Sequence, residues 1–205
     1  MRLTRSFLIV LLGATLFATT PAAADEFTDG AKAFIQDLAE KAISTLTATQ
    51  PGTAEREAEF RRLFNQNFDV PAIGQWVLGR YWRQATGSER KEYLKEFEAF
   101  VVKTYADRLK DYSSERLKVI DSIRRDGNAI VQSVVTREGN EAPVRIEWRV
   151  IHPEDRYLIT DVVVEGVSMA QTQRSEFSSV IRRNGGSVQG LIAALRDKNK
   201  AFVTN

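Results

Sequence analysis

Three stretches in the second half of this chain are apolar at consecutive positions: Ile130-Val131, Val134-Val135 and Val162-Val163-Val164. Because successive side chains of a β-strand point to opposite faces of the sheet, strands of this kind are apolar on both faces. The segment from Val144 to Ile151 differs, since it alternates apolar with charged residues and predicts one face in water. Both faces of the other strands must be covered, by helices or, on one face, by a molecule that is not protein.

The spacing of apolar residues changes from a helical to a strand period about halfway along the chain. Short turn sequences separate the strands, which makes neighbouring strands antiparallel. We therefore predict an α+β fold, in which a curled antiparallel sheet of about four strands is packed by N- and C-terminal helices, with an apolar cavity between sheet and helices. The predicted strands are Leu117–Ile123, Ala129–Thr136, Val144–Ile151 and Tyr157–Val164.

The first 24 residues have the pattern of a secretory signal peptide. Arg2 and Arg5 precede an apolar run over residues 7–17, and Ala22-Ala23-Ala24 supplies the small residues of a cleavage site. The apolar run is shorter than a membrane-spanning helix requires. We predict cleavage after Ala24, a mature protein outside the cytoplasm, and a single domain over residues 25–205.

Charge and cysteine content exclude several classes of function. The chain has 29 Lys and Arg against 27 Asp and Glu, and removing Arg2 and Arg5 leaves the predicted mature protein balanced. A balanced surface argues against a nucleic-acid partner, which favours a strong positive excess. The absence of cysteine excludes disulfides and a lipid-modified cysteine, so stability depends on a packed core.

The sequence offers little for catalysis or metal binding. His152 is the only histidine, lies in a turn before Pro153, and has no cysteine to join it as a ligand. A Ser-His-Asp arrangement and a glycine-rich phosphate loop are also missing. We therefore predict no catalytic residues, no metal and no cofactor, and a protein that is not an enzyme.

Two motifs in order resemble the MlaC family of periplasmic phospholipid-binding proteins, also called toluene-tolerance proteins. The first is FRRLFNQNFDVPAIGQWVLGRYWRQAT at residues 60–86, followed by FEAFVVKTYADRL at 97–109. The second is VEGVSMAQTQRSEFSSVIRRNGG at residues 164–186, followed by GLIAAL at 190–195. The resemblance extends from about Phe34 to Leu195, which is nearly the whole predicted mature chain.

The resemblance implies a soluble, monomeric periplasmic carrier that maintains the lipid asymmetry of the outer membrane. Such a carrier shuttles phospholipid between an outer-membrane lipoprotein complex and an inner-membrane transporter of the ABC type. The resemblance also implies that acyl chains lie between the sheet and the helices, with the headgroup near the surface. The stretch VEGVSMAQTQRSEF is in addition similar to a hopanoid-associated branch of the family, so a hopanoid stays open as the ligand.

The energetics of lipid transfer agree with a carrier that has an apolar interior. A two-chain lipid has roughly thirty methylenes at about 0.8 kcal/mol each, so on the order of 25 kcal/mol opposes its passage through water. A protein that lowers this cost must hide most of the hydrocarbon, and it needs no catalytic group to do so.

Apolar stripes on the helices and strands supply the candidate lining of the cavity. The residues predicted to bind lipid are Trp76, Val77 and Tyr81 near Gly79, Phe97, Val101 and Tyr105 on the next helix, and Val134, Ile146, Trp148, Val162 and Val164 on the sheet. These stripes are equally typical of a packed core, and an error of one residue in a strand would exchange its two faces. The residues predicted to contact a headgroup or a partner protein are Arg80, Arg83 and Arg174.

Two further classes of function stay open at this point. Folds with a sheet around an apolar pocket also carry small isomerases and dehydratases, for which Asp161 among valines is the best candidate acid or base. Alternatively, Asp161 anchors an arginine. A third possibility is an adaptor that contacts membrane complexes without a ligand, which a filled core with no cavity would favour.

Overall fold

The structure is a computed structural model that describes residues 25–50, 53–108, 116–136 and 142–202. The predicted signal peptide and its cleavage after Ala24 lie outside these residues. Within the described part of the chain, no helix combines the length and the apolar character that crossing a bilayer requires.

In the part of the chain that the structure describes, five α-helices precede the sheet and two follow it. Their bounds are α1 Glu26–Ala48, α2 Ala54–Asn67, α3 Val70–Leu78, α4 Arg80–Gln84, α5 Gly87–Arg108, α6 Met169–Arg183 and α7 Val188–Ala201. Side chains cap the starts of two of these helices. Thr53 Oγ1 accepts from the Arg56 amide, and Ser168 Oγ accepts from the Gln171 amide. Side-chain oxygens at these positions satisfy amides that have no partner within the helix, which explains why the helices begin there.

The described residues form a sheet of five antiparallel strands in sequence order. They are β1 Arg116–Arg125, β2 Asn128–Thr136, β3 Val144–Ile151, β4 Leu158–Val164 and β5 Val167–Ser168. This arrangement of helices and sheet confirms the predicted α+β class. The two-residue β5 was not predicted, because it is too short to show a strand period. It forms the edge of the sheet directly before α6.

A β-bulge in β4 determines which face of the sheet its apolar residues occupy. Trp148 pairs with Val162, and Val150 pairs with Ile159. Between these two pairs β3 has one residue and β4 has two, so β4 carries one extra residue. The register shift therefore brings Ile159 and Val162 to the same face, although strict alternation would place them on opposite faces. Val163 lies on the other face and is also buried, with 7% of its surface exposed.

The apolar core is divided into two clusters. Ala31 and Ile35 of α1 pack against Val131 and neighbouring residues of the sheet. The second cluster joins α3, α5, α6 and α7, and Phe177 packs there against Tyr93, Phe97 and Phe100. Phe68 is partly buried against both clusters. The division leaves space between the sheet and the helices that neither cluster fills.

His152 lies at one end of the first cluster. Its ring stacks on Tyr157 with 4.1 Å between ring centroids, and Tyr157 in turn stacks on Phe27 and Phe34. Burial and the nearby carboxylates of Glu26 and Asp25 raise the pKa of Tyr157. The contacts of His152 are thus those of an aromatic packing residue.

Gly79 joins α3 to α4 in a conformation that other residues rarely adopt, with φ 59° and ψ −127°. A Cβ atom at this position would lie 2.9 to 3.0 Å from the guanidinium of Arg174. Two independent constraints, backbone conformation and space, therefore require glycine here.

We expect Gly79→Ala to lower the free energy of unfolding by about 1 to 3 kcal/mol, since alanine is strained in this backbone region. Urea unfolding followed by circular dichroism measures the change. The control is Gly87→Ala at the start of α5, where an added Cβ meets nothing within 4 Å. Equal stability of the Gly79 variant and the native protein would contradict the strain argument.

Candidate functional site

A cavity of about 440 Å³ lies between the sheet and the helices. Residues of α1, α2, α3, α5 and α6 line it on the helical side, and residues of β1 to β4 line it on the other. Its size is within the range of roughly 300 to 1,000 Å³ that is typical of small-molecule sites. The predicted space between sheet and helices is therefore present.

The sheet wall is formed by one face of four neighbouring strands. Pairing places Trp148 beside Val162, and Ile146 beside Val164, which aligns these side chains across β3 and β4. The wall consists of Leu117, Val135, Ile146, Trp148, Val162 and Val164. The indole N–H of Trp148 donates to Ser133 Oγ at 2.9 Å, so the polar atom of this ring is satisfied while its carbon surface remains available to the cavity.

The helical wall depends on a stripe along α5. Phe97, Val101 and Tyr105 are four residues apart, and this spacing places them on one side of the helix. Ile73 and Val77 of α3 extend the wall at one end. Together with the sheet wall, these side chains surround the space with hydrocarbon.

Most of the residues that the sequence predicted for this site line the cavity. They are Val77, Phe97, Val101, Tyr105, Ile146, Trp148, Val162 and Val164. Their position follows from periodicity, because each lies on the inner side of its helix or strand. Lipid binding by these residues stays a prediction.

Three predicted residues do not line the cavity: Val134, Trp76 and Tyr81. A different local feature explains each case. Val134 pairs with Lys118 and Arg145 on the other face of the sheet, one residue away from Val135, which does line the cavity. Trp76 lies one position before the inward Val77 and is 43% exposed. Tyr81 is buried in the helical core cluster, where its hydroxyl accepts from Arg80.

Residues of α1, α2 and α6 complete the site and were not predicted as lining. The largest contribution comes from the apolar face of the second half of α1. Added lining residues include Leu38, Ala39, Ala42, Ile43, Phe60, Leu63, Phe64, Met169 and Ala170. The helical period identifies these faces, but only the packing shows that they border empty space.

Asp161 and Arg56 are the charged residues among the described cavity lining, and both are buried. Asp161 is engaged by three neighbours. Ser168 Oγ donates to it at 2.6 Å, the Ala170 amide donates at 3.1 Å, and Arg149 Nη1 lies 3.3 Å away. This carboxylate therefore joins β3, β4 and the start of α6, as expected for a structural anchor.

The three predicted basic contacts lie outside the cavity lining. Arg80 and Arg83 are exposed on α4, and Arg174 is half-buried on α6 directly after the lining residue Gln173. The carbon at the centre of the Arg174 guanidinium lies 4.8 Å from the centre of the Trp76 ring. These arginines are thus close to the cavity wall but on its outer side.

Three comparisons place this architecture among known proteins. The family model described as MlaC protein matches residues 36–197. The intermembrane phospholipid transport system binding protein MlaC of Haemophilus influenzae is 24% identical over 161 residues, covering 74% of each chain. Toluene tolerance protein ttg2D of Pseudomonas putida is 20% identical over 132 residues, covering 64% of this chain and 61% of that protein.

A solved structure has the same fold. It is that of a phospholipid-binding protein of Ralstonia solanacearum in complex with a phospholipid, at 22% sequence identity and a TM-score of 0.72. The alignment covers 84% of this chain and 98% of that one.

We expect Asp161→Asn to lower the free energy of unfolding by about 1 to 3 kcal/mol, because an amide in place of the buried carboxylate loses the ion pair and the charge-assisted hydrogen bonds. Chemical denaturation measures the loss. Asp37→Asn on exposed α1 surface is the matched control. A midpoint unchanged from the native protein would show that Asp161 does not anchor this corner.

Proposed function

This chain belongs to the MlaC family, and on that premise we propose that it is a lipid carrier that holds the acyl chains of a phospholipid in the cavity between sheet and helices. The proposal includes a periplasmic location and a monomeric, single-domain mature protein over residues 25–205. It also includes transfer of lipid between an outer-membrane lipoprotein complex and an inner-membrane ABC-type transporter, in maintenance of outer-membrane lipid asymmetry.

The single observation that carries this proposal is the uncovered apolar face of the sheet. α1 covers part of that face through Ala31 and Ile35, but farther along the strands Trp148 and Val162 border the cavity. Contact between this apolar lining and water is unfavourable, and a bound acyl chain would remove the lining from solvent. The same contact removes the methylenes of the guest from water, at about 0.8 kcal/mol each.

Several observations support the cellular setting. The signal-peptide pattern at residues 1–24 agrees with export. The relative from Haemophilus influenzae is named as the binding protein of an intermembrane phospholipid transport system, and the solved relative from Ralstonia solanacearum holds a phospholipid. Arg80, Arg83 and Arg174 are the candidates for contact with a headgroup or with a partner complex.

A carrier accounts for the site better than an enzyme does. Asp161 was the best candidate acid or base, and its oxygens are already engaged by Ser168, Ala170 and Arg149. A catalytic carboxylate must instead approach the proton that it transfers. The cavity also counts against a ligand-free adaptor, for which a filled interior is expected.

The decisive experiment is identification of the bound lipid. We expect gently purified full-length protein, extracted with organic solvent, to release phospholipid that mass spectrometry detects in about one equivalent per chain. A polycyclic lipid in its place would support the hopanoid alternative. Folded protein that yields no lipid would contradict the carrier proposal.

A cavity-filling variant tests the location of the guest. We expect Ala42→Phe, which adds a ring to the α1 side of the cavity, to lower the extracted lipid severalfold, because the ring occupies space that the guest needs. Folding should be retained, since the new ring lies among apolar side chains and adds buried apolar surface.

The matched control is Ala193→Phe on the exposed side of α7, away from the lining. Lipid mass spectrometry and thermal unfolding are measured for both variants. Undiminished lipid content in the folded Ala42 variant would place the guest elsewhere.

A further inference from the structure

The outer side of the α3–α6 wall has a surface with an unusual combination of side chains. It consists of Trp76, Gly79, Arg80, Arg83 and Arg174, and we call it the arginine–aromatic surface. We propose that the arginine–aromatic surface docks the protein onto an anionic phospholipid bilayer. This inference concerns a surface and not the cavity, so it does not depend on which molecule the cavity holds.

The Arg174 guanidinium is oriented by its neighbours. It lies over the ring of Trp76, and it packs so closely on Gly79 that a Cβ atom there would approach it to 2.9 Å. A guanidinium that rests on a ring and on backbone keeps its N–H edge available. That edge matches the oxygens of a phosphate group bidentately.

Arg80 and Arg83 add positive charge beside it. Arg80 lies 4.9 Å from the centre of the Tyr81 ring and donates to the Tyr81 hydroxyl at 2.9 Å. Arg83 is exposed, and its position three residues farther along α4 places it on the same side of that helix. Among the described residues, no carboxylate lies within ion-pair distance of Arg80, Arg83 or Arg174.

The acidic residues nearest in sequence have other partners. Glu89 accepts hydrogen bonds from the amide and hydroxyl of Thr86, which hold the pKa of its carboxyl below the usual value. Glu92 is paired with Arg196, and Glu176 accepts from Gln173. The positive charge of the surface is therefore not neutralised locally, although the predicted mature chain is balanced overall.

Trp76 favours a bilayer over an acidic protein as the occupant. Trp76 is 43% exposed and its ring lies against the Arg174 guanidinium, so apolar carbon and positive charge lie side by side. The headgroup region of a bilayer offers phosphate and hydrocarbon at nearly the same depth, and indole rings favour that region. Docking in this way would also bring α3 and α6, which line the cavity through Val77 and Ala170, against the headgroups.

Co-sedimentation of the full-length protein with lipid vesicles tests the proposal. We expect binding to vesicles that contain phosphatidylglycerol, loss of that binding at high salt, and none to vesicles of phosphatidylcholine alone. Arg80→Gln, Arg83→Gln and Arg174→Gln should each weaken binding about fivefold, as expected for one cation near an anionic surface. Arg83 has no described partner within the protein, so its variant should fold normally.

Arg125→Gln is the matched control, because it removes one exposed arginine from the far end of β1. Equal weakening by Arg125→Gln would mean unspecific attraction and would overturn the proposal, as would absence of binding to phosphatidylglycerol vesicles. The latter result would direct attention to an acidic protein partner instead. Lipid extraction from the native protein separates this result from the carrier proposal, since bound lipid together with absent vesicle binding overturns the docking surface alone.

Discussion

The fold depends on a sheet that has one apolar face, since the opposite face carries charged residues such as Arg145. Water cannot cover an apolar face favourably, so the chain must supply another layer there. α1 covers this face through Ala31 and Ile35 but does so only along part of the strands. Farther along, the same face continues as Trp148 and Val162 and borders a cavity. The cavity is thus the part of the interior that protein side chains do not fill, and its lining is apolar like the packed core.

The corner between β4 and α6 connects this cavity to the rest of the molecule. Asp161 pairs with Arg149 on β3 and accepts from Ser168 and Ala170 at the start of α6. The bulge in β4 supplies the odd spacing that lets Ile159 and Val162 share a face. Asp161 thus fixes the wall of the cavity at the edge where β4 passes into α6.

α3 and α6 present different chemistry on their two sides. Val77 and Ala170 line the cavity, whereas Trp76 and Arg174 meet on the outside. The conformation of Gly79 allows α4 to turn away from α3, and the missing side chain leaves room for the Arg174 guanidinium. A thin wall therefore lies between an apolar interior and a positively charged exterior.

The sequence by itself determined the class of fold and the inward side of most candidate lining residues, because apolar periodicity is a local property. It identified Phe97, Val101 and Tyr105 on one stripe, and all three line the cavity. It misplaced Val134 by one residue, since a strand that is apolar on both sides carries no signal for its inner face. Only the tertiary structure decided that the second half of α1 borders a cavity. An apolar face looks the same in sequence whether it meets a neighbouring side chain or an empty space, and the distance between layers decides which of the two it borders.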